Sequence, residues 1–235
     1  MRTSGTVVLC VTALLVAATA RGAQSKNEIK ELNQATSTLT EIRNAPDNGI
    51  SEDIWNKAQC VVVIPSLKKA AFIVGVEGGS GVMSCRHADN SWSAPIFMQL
   101  TKGSAGFQIG AQSTDLVLVV MNKTGVEKLL SNKVTLGTDA SIAAGPVGRT
   151  ASAATDAQMT AEMLSYSRSK GLFAGVNLSG GSLRADDSAN AKVYGSKASA
   201  KEIVLGTTPV TMTAEGRAFT DALSRDVRAT TGVKK

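Results

Sequence analysis

The chain has 235 residues, 43% of them hydrophobic but only 4% aromatic, and 22 glycines. That is enough apolar material for one or two cored domains, built from small, closely apposed strands rather than around aromatic side chains. A formal net charge of +6 favours acidic partners such as anionic lipid headgroups, while the lack of an Arg/Lys run interleaved with aromatics argues against nucleic acid.

Residues 1–20 read as a signal peptide, with cleavage as late as residue 23. Arg2 gives a positive start, and Val7 to Ala18 is an apolar run too short to span a bilayer as a helix. Ala18-Thr19-Ala20 then fits a signal-peptidase site. Cys10 follows Leu9 inside the apolar run, where a lipoprotein anchor would need a small residue. The expectation is export to the periplasm or the medium. Cleavage removes only Arg2 among the charges and leaves +5. Cys60 and Cys85 remain, at the outer ends of two candidate hairpin strands. An even count in an oxidising compartment favours one disulfide over two buried free thiols.

Glu28–Arg43 is a predicted helix. Ile29, Leu32, Leu39 and Ile42 share a face, and Lys30, Glu31, Gln34 and Glu41 lie opposite. The charges are mixed and no Trp or Phe is present, so a helix packed on the domain is favoured over a membrane-surface helix. Residues 44–49 form a turn cluster. Ser51 is placed to cap a short helix with Glu52 and Asp53 in its first turn. Cys60–Ile64 is a β-branched run that reads as a buried strand ended by Pro65. Ser66-Leu67-Lys68-Lys69 reads as a basic turn. Ala70–Val76 and Val82–Arg86 read as strands separated by a turn at Glu77–Gly81.

Residues 87–90 turn into a strand over Ser91–Leu100, with Pro95 marking an edge or bulge. Gly103–Gly110 is a glycine-rich strand or bend, and Asp115–Met121 is a core strand. Thr124 is placed to cap a helix running to Leu130. Lys133–Leu136 is a short strand, Ser141–Thr150 a flexible stretch, and Ala157–Tyr166 a further strand. In Ser165–Ser169 the period of two suits an exposed basic strand, continued by Lys170 and, past Gly171, by the apolar segment Leu172–Leu178. Helices follow over Asp186–Tyr194, Ala198–Leu205 and Thr213–Arg228. Helices, then strands, then helices indicate an α+β fold: a mainly antiparallel twisted sheet with helices at both chain ends.

Motifs for catalysis and metal binding are weak. Gly75, Gly78, Gly79 and Gly81 do not form a dinucleotide or phosphate loop. Ser66 to Lys69 and Ser167 to Lys170 match S-x-x-K, and Lys123-Thr124-Gly125 matches K-T-G. Neither serine opens a helix, however, and no S-D-N lies between Ser66 and Lys123. His87 is the only histidine. It shares one turn with Cys85 and Asp89, but no second ligand cluster accompanies them. The carboxylate pairs Glu52/Asp53 and Asp186/Asp187 sit at helix starts, where capping explains them. A binding surface remains, with the basic residues Lys68, Lys69, Arg149, Arg168 and Lys170 as a candidate anionic-headgroup site. Each charge is worth about 1 kcal/mol near an anionic membrane.

Four ordered segments carry a family resemblance: residues 58–86, AQCVVVIPSLKKAAFIVGVEGGSGVMSCR; 92–122, WSAPIFMQLTKGSAGFQIGAQSTDLVLVVMN; 133–149, KVTLGTDASIAAGPVGR; and 165–181, SYSRSKGLFAGVNLSGG. Together they resemble the SYLF domain family, and with the flanking helices the resemblance covers residues 28–228 as one domain, followed by a basic tail at 229–235. It implies non-enzymatic binding of phosphoinositides or other anionic lipids; the same family is also described as an actin-binding domain in yeast cortical-patch proteins. Eukaryotic members attach SH3 or FYVE modules, whereas this chain resembles the stand-alone exported bacterial members. The expected partners are therefore an anionic membrane surface or, as the alternative, a protein of the cell envelope. No cofactor, metal or nucleic acid is expected.

Overall fold

The computed structural model describes residues 26–45, 49–71, 74–105, 110–131, 133–147, 160–169 and 172–225. The signal-peptide segment, Arg149, Lys170 and residues 229–235 lie outside them. Two helices, α1 (Lys26–Arg43) and α2 (Glu52–Lys57), precede four long strands: β1 (Cys60–Ala71), β2 (Val74–Cys85), β3 (Ile96–Ala105) and β4 (Gly110–Val120). Helix α3 (Lys123–Leu129) and short strands β5 (Val134–Thr135) and β6 (Ile142–Ala144) follow. Then come β7 (Met163–Ser169), β8 (Leu172–Gly175), β9 (Ser182–Ala185), α4 (Asp187–Tyr194), α5 (Ala200–Leu205) and α6 (Ala214–Ser224). The strands form one sheet in the order β5-β9-β3-β2-β1-β4-β7-β6, with β8 also paired to β7. Every pairing is antiparallel except β6 with β7. The expected α+β architecture, with its mainly antiparallel sheet between N- and C-terminal helices, is the observed one.

The sheet is covered on both faces, which is why Cys60–Ile64 is apolar without alternation. Val61, Val63, Val82, Phe97, Val117, Val119 and Tyr166 point to a core shared with α1, α2, α4 and α6. Cys60, Val62, Ile64, Met83, Leu118 and Val120 point to a second core closed by α3 and α5. Helix α1 buries Leu32, Ala35, Thr38, Leu39 and Ile42 and packs on α6, β1 and β2. It is therefore the packed helix that its mixed charge pattern favoured.

The largest departure from expectation lies at residues 65–81. Pro65 does not end a strand and Lys68 and Lys69 do not lie in a turn. Instead β1 carries on to Ala71 through a bulge between Ile64 and Leu67, where its register against β4 shifts. Ser66 takes a left-handed φ of 59° there, and its amide donates to Asp115 Oδ1 at 3.0 Å. A bulge accepts a proline that a regular central strand does not. Glu77–Gly81 is likewise strand, not turn. A Cβ at Gly81 would lie 2.2 Å from Val63 O, and one at Gly79 would lie 2.7 Å from Ile64 Cγ2. These glycines let β2 pass under the bulge.

Smaller differences concern caps and edges. Ser51 occupies the N-cap of α2 but its side chain makes no capping bond. Asn122, not Thr124, caps α3, accepting from Gly125 N. Pro95 stands just before β3, which starts at Ile96 rather than Ser91. β9 covers only Met98–Thr101 of β3, so Phe97, paired with Val82 of β2 on one side, has no β9 residue opposite it on the other. The buried Asn190 side chain fills that place, accepting from Phe97 N at 2.8 Å and donating to Phe97 O at 3.1 Å. The Cys60–Cys85 disulfide is formed, across directly paired positions of β1 and β2.

Candidate functional site

The strand registers bring three pairs of strand ends to one end of the sheet: Ala71 with Val74, Ala105 with Gly110, and Ser169 with Leu172. The ladder pairs Val74 with Ala105, Ala71 with Gly110, and Arg168 with Asp115, so all three point the same way. Basic residues come with them. Lys69 of β1 lies opposite Glu77 of β2, which lies opposite Lys102 of β3. Lys68 precedes this row and is exposed. Lys102 Nζ donates to Asn177 O at 3.1 Å, which anchors its head beside the row. Two large apolar side chains stand exposed at the same end: Val76, 58% exposed, and Leu172, 65% exposed.

Lys68 also borders a groove of about 490 Å³ between α1 and the bulge, together with Lys30, Glu31 and Gln34 of α1 and Ser80 of β2. Glu31 is half-buried there. Burial, reinforced by the nearby Asp186 and Glu28 carboxylates, pushes its carboxyl up to about 8. At neutral pH the groove therefore carries the two lysine charges beside a protonated acid.

Arg168 has a different part from the one its sequence position suggested. β7 is not an exposed basic strand. Tyr166 is fully buried, and Arg168, on the same face, meets Asp115 Oδ2 at 3.2 Å and pairs with Glu41 of α1. Its guanidinium also lies 5.8 Å from the centre of the Phe173 ring. Three partners from β4, α1 and β8 hold it as a fastening for α1, leaving little of its charge for a ligand. The fold thus gathers Lys68 and Lys69 at the hairpin end and commits Arg168 to an internal network. It adds Lys30 and Lys102. Lys30 was legible as part of the polar face of α1, but its approach to Lys68 depends on the β1 bulge. Lys102 is assigned only by the β2–β3 register.

The described residues of the motifs weighed above take structural places. Ser66 is the left-handed bulge residue, and Ser167 lies within β7. His87 Nε2 donates to Val204 O at 2.9 Å and so acts as a bracket between the β2–β3 connection and α5. Among the described residues, no three His, Cys, Asp or Glu side chains are grouped to hold a metal ion. Also among them, no helix is long and apolar enough to cross a membrane.

A family model described as Ysc84, Las17-binding protein actin regulator, matches residues 101–225. The chain is 35% identical over 187 residues to SH3 domain-containing YSC84-like protein 1 of Homo sapiens, covering 78% of this chain and 54% of the relative. It is 37% identical over 163 residues to LAS seventeen-binding protein 3 of Saccharomyces cerevisiae, covering 68% of this chain and 35% of the relative. Protein YSC84 of the same yeast is 35% identical over 163 residues, again covering 68% and 35%. The chain thus spans about half the length of the human relative, and about a third of the yeast ones. With more than half of its residues matched by the family model and a relative 35% identical over 78% of its length, the chain belongs to the Ysc84, or SYLF, family.

Proposed function

We propose that the protein is a non-catalytic binding module that docks by the hairpin end of its sheet on a negatively charged membrane surface. The observation that carries this reading is the joint placement of Lys68, Lys69 and Lys102 with the exposed Val76 and Leu172. Lysine positions at the same end of the sheet as projecting apolar side chains suit a surface with anionic headgroups outside and acyl chains beneath. The net charge of +6 acts in the same direction. Export to an oxidising compartment is part of the proposal and is supported by the Cys60–Cys85 bridge, a bond rare where thiols are kept reduced.

A second reading, docking on a protein partner, is favoured by the relatives, one of which is named a LAS seventeen-binding protein. Liposome co-sedimentation separates the two. The expected result is binding to vesicles containing anionic lipid and not to neutral ones, weakening as salt rises and lost in Lys68→Glu/Lys69→Glu. Absence of binding to both vesicle types would overturn the membrane reading in favour of the protein partner.

A further inference from the structure

The opposite end of the sheet, where Cys60 and Cys85 are bridged, carries a feature that the hairpin-end reading does not use. Helices α3 and α5 and the residues just after β2 wall a groove of about 820 Å³. Its apolar strip is made by Val126 from α3, Leu130 at the C-cap of α3, and Val204 and Leu205 from α5. Val204 is buried in the second core, whereas Leu205 is 50% exposed and is followed by the left-handed cap Gly206. Lys123 and Lys201 stand on the rim and are exposed. Neither has an ion-pair partner among the described residues. Glu127 is the one acid in the lining. Arg86 adds a further cation, although its guanidinium donates to Ala58 O and Trp55 O. His87, fixed to Val204 O, closes one side.

We infer that this groove binds a single-chain amphiphile with an anionic head, the alkyl chain lying on Leu130, Val126 and Leu205 and the head between Lys123 and Lys201. Charge complementarity selects the sign of the head: an unpaired pair of lysines faces a lone carboxylate. The apolar strip selects the chain, since Leu205 gains burial only from an apolar occupant. The volume lies within the roughly 300–1,000 Å³ usual for small-ligand sites. An extended peptide is disfavoured because α3 and α5 satisfy their own backbone groups and offer no free strand edge. A carboxylate and a phosphate monoester share the required head chemistry.

The test is calorimetric titration of the full chain with dodecanoate below its micelle-forming concentration. Lysophosphatidate serves as the phosphate-headed arm, dodecyl maltoside as the uncharged head, and butanoate as the head without the chain. One or both anionic long-chain probes should bind with a stoichiometry of one, and which of them binds assigns the head. Dodecyl maltoside and butanoate should bind roughly tenfold or more weakly. Lys123→Gln/Lys201→Gln and, separately, Leu205→Asp should each weaken the anionic probe by a similar factor, with thermal melts confirming that the variants fold. The inference is overturned if neither anionic probe binds, if dodecyl maltoside binds as tightly, or if both folded variants bind like the parent. Should a variant fail to fold, a dodecanoate-to-butanoate chain-length series on the parent decides instead: affinity that does not grow with chain length overturns the inference. Binding of an acidic helical peptide where dodecanoate fails would likewise overturn it and assign the groove to a protein.

Discussion

The two ends of this sheet are built on different terms. At the disulfide end the chain is fastened repeatedly. Cys60 and Cys85 are bonded, Arg86 reaches across to Trp55 O and Ala58 O while stacking 4.6 Å over Trp92, and His87 ties the loop to α5. Lys128 and Glu162 form a short ion pair beneath α3. At the hairpin end the described residues show few such ties. Lys68 and Val76 are exposed, and β1 reaches this end only by way of the bulge at Pro65–Ser66. One end is thus invested in cross-links and the other presents side chains. That division is what a module needs if it must hold a rigid frame while touching a broad surface.

Removing the bond at the fastened end should have the largest effect on stability. The bridge joins residues 25 apart in sequence, so Cys60→Ser/Cys85→Ser should cost about 3 kcal/mol in denaturant unfolding, chiefly by freeing the unfolded chain. Vesicle binding by the protein that remains folded should be unchanged. Arg168 tests the comparison from the other side, since it lies close to the hairpin end but serves the frame. Arg168→Ala should cost about 1–2 kcal/mol, less than a fully buried pair would, because Glu41 and Asp115 keep some contact with water. It should leave vesicle binding intact. A loss of vesicle binding without a loss of stability would place Arg168 among the docking residues.

Glu31 gives a pH-dependent test. Its carboxyl ionises at about 8 in the folded chain against 4.5 in the ordinary case. Between those values the folded state keeps a proton that the unfolded state has released, so this group's contribution to stability falls as pH rises from about 4.5 to about 8. Glu31→Gln removes that slope, and above about pH 8 the variant should melt a few degrees higher than the parent. Equal melting temperatures across the range would contradict burial as the cause. The smallest effect on stability is expected for Lys102→Gln, below about 0.5 kcal/mol, with vesicle binding weakened by about 1 kcal/mol for loss of the charge.

Much of the frame was legible in the sequence because its signals are local. The face formed by Leu32, Leu39 and Ile42 marks α1, the run from Cys60 to Ile64 marks a strand buried on both faces, and Asp186 caps α4 through Ala189 N as its position suggests. The β1–β2 hairpin was misread because Pro65 and the glycines at 78, 79 and 81 are ordinary punctuation in a one-dimensional reading. Only the pairing of Gly81 with the Val63–Ile64 backbone shows that they accommodate a bulge. The site was legible in the same uneven way. Lys68 and Lys69 stood out as a basic pair, but the role of Arg168 depends on Asp115, 53 residues away, and on a helix more than a hundred residues upstream. Distances of that kind leave no periodic trace.

The most direct measurement compares charge reversal at the two ends in one vesicle assay. Lys68→Glu/Lys69→Glu and Lys123→Glu/Lys201→Glu change the net charge equally, so any general electrostatic attraction suffers alike in both. If the hairpin end docks on the membrane, the first variant fails to sediment with anionic vesicles while the second loses only the smaller share that general attraction contributes. Equal losses in the two variants, or a loss confined to the second, would contradict docking through the hairpin end.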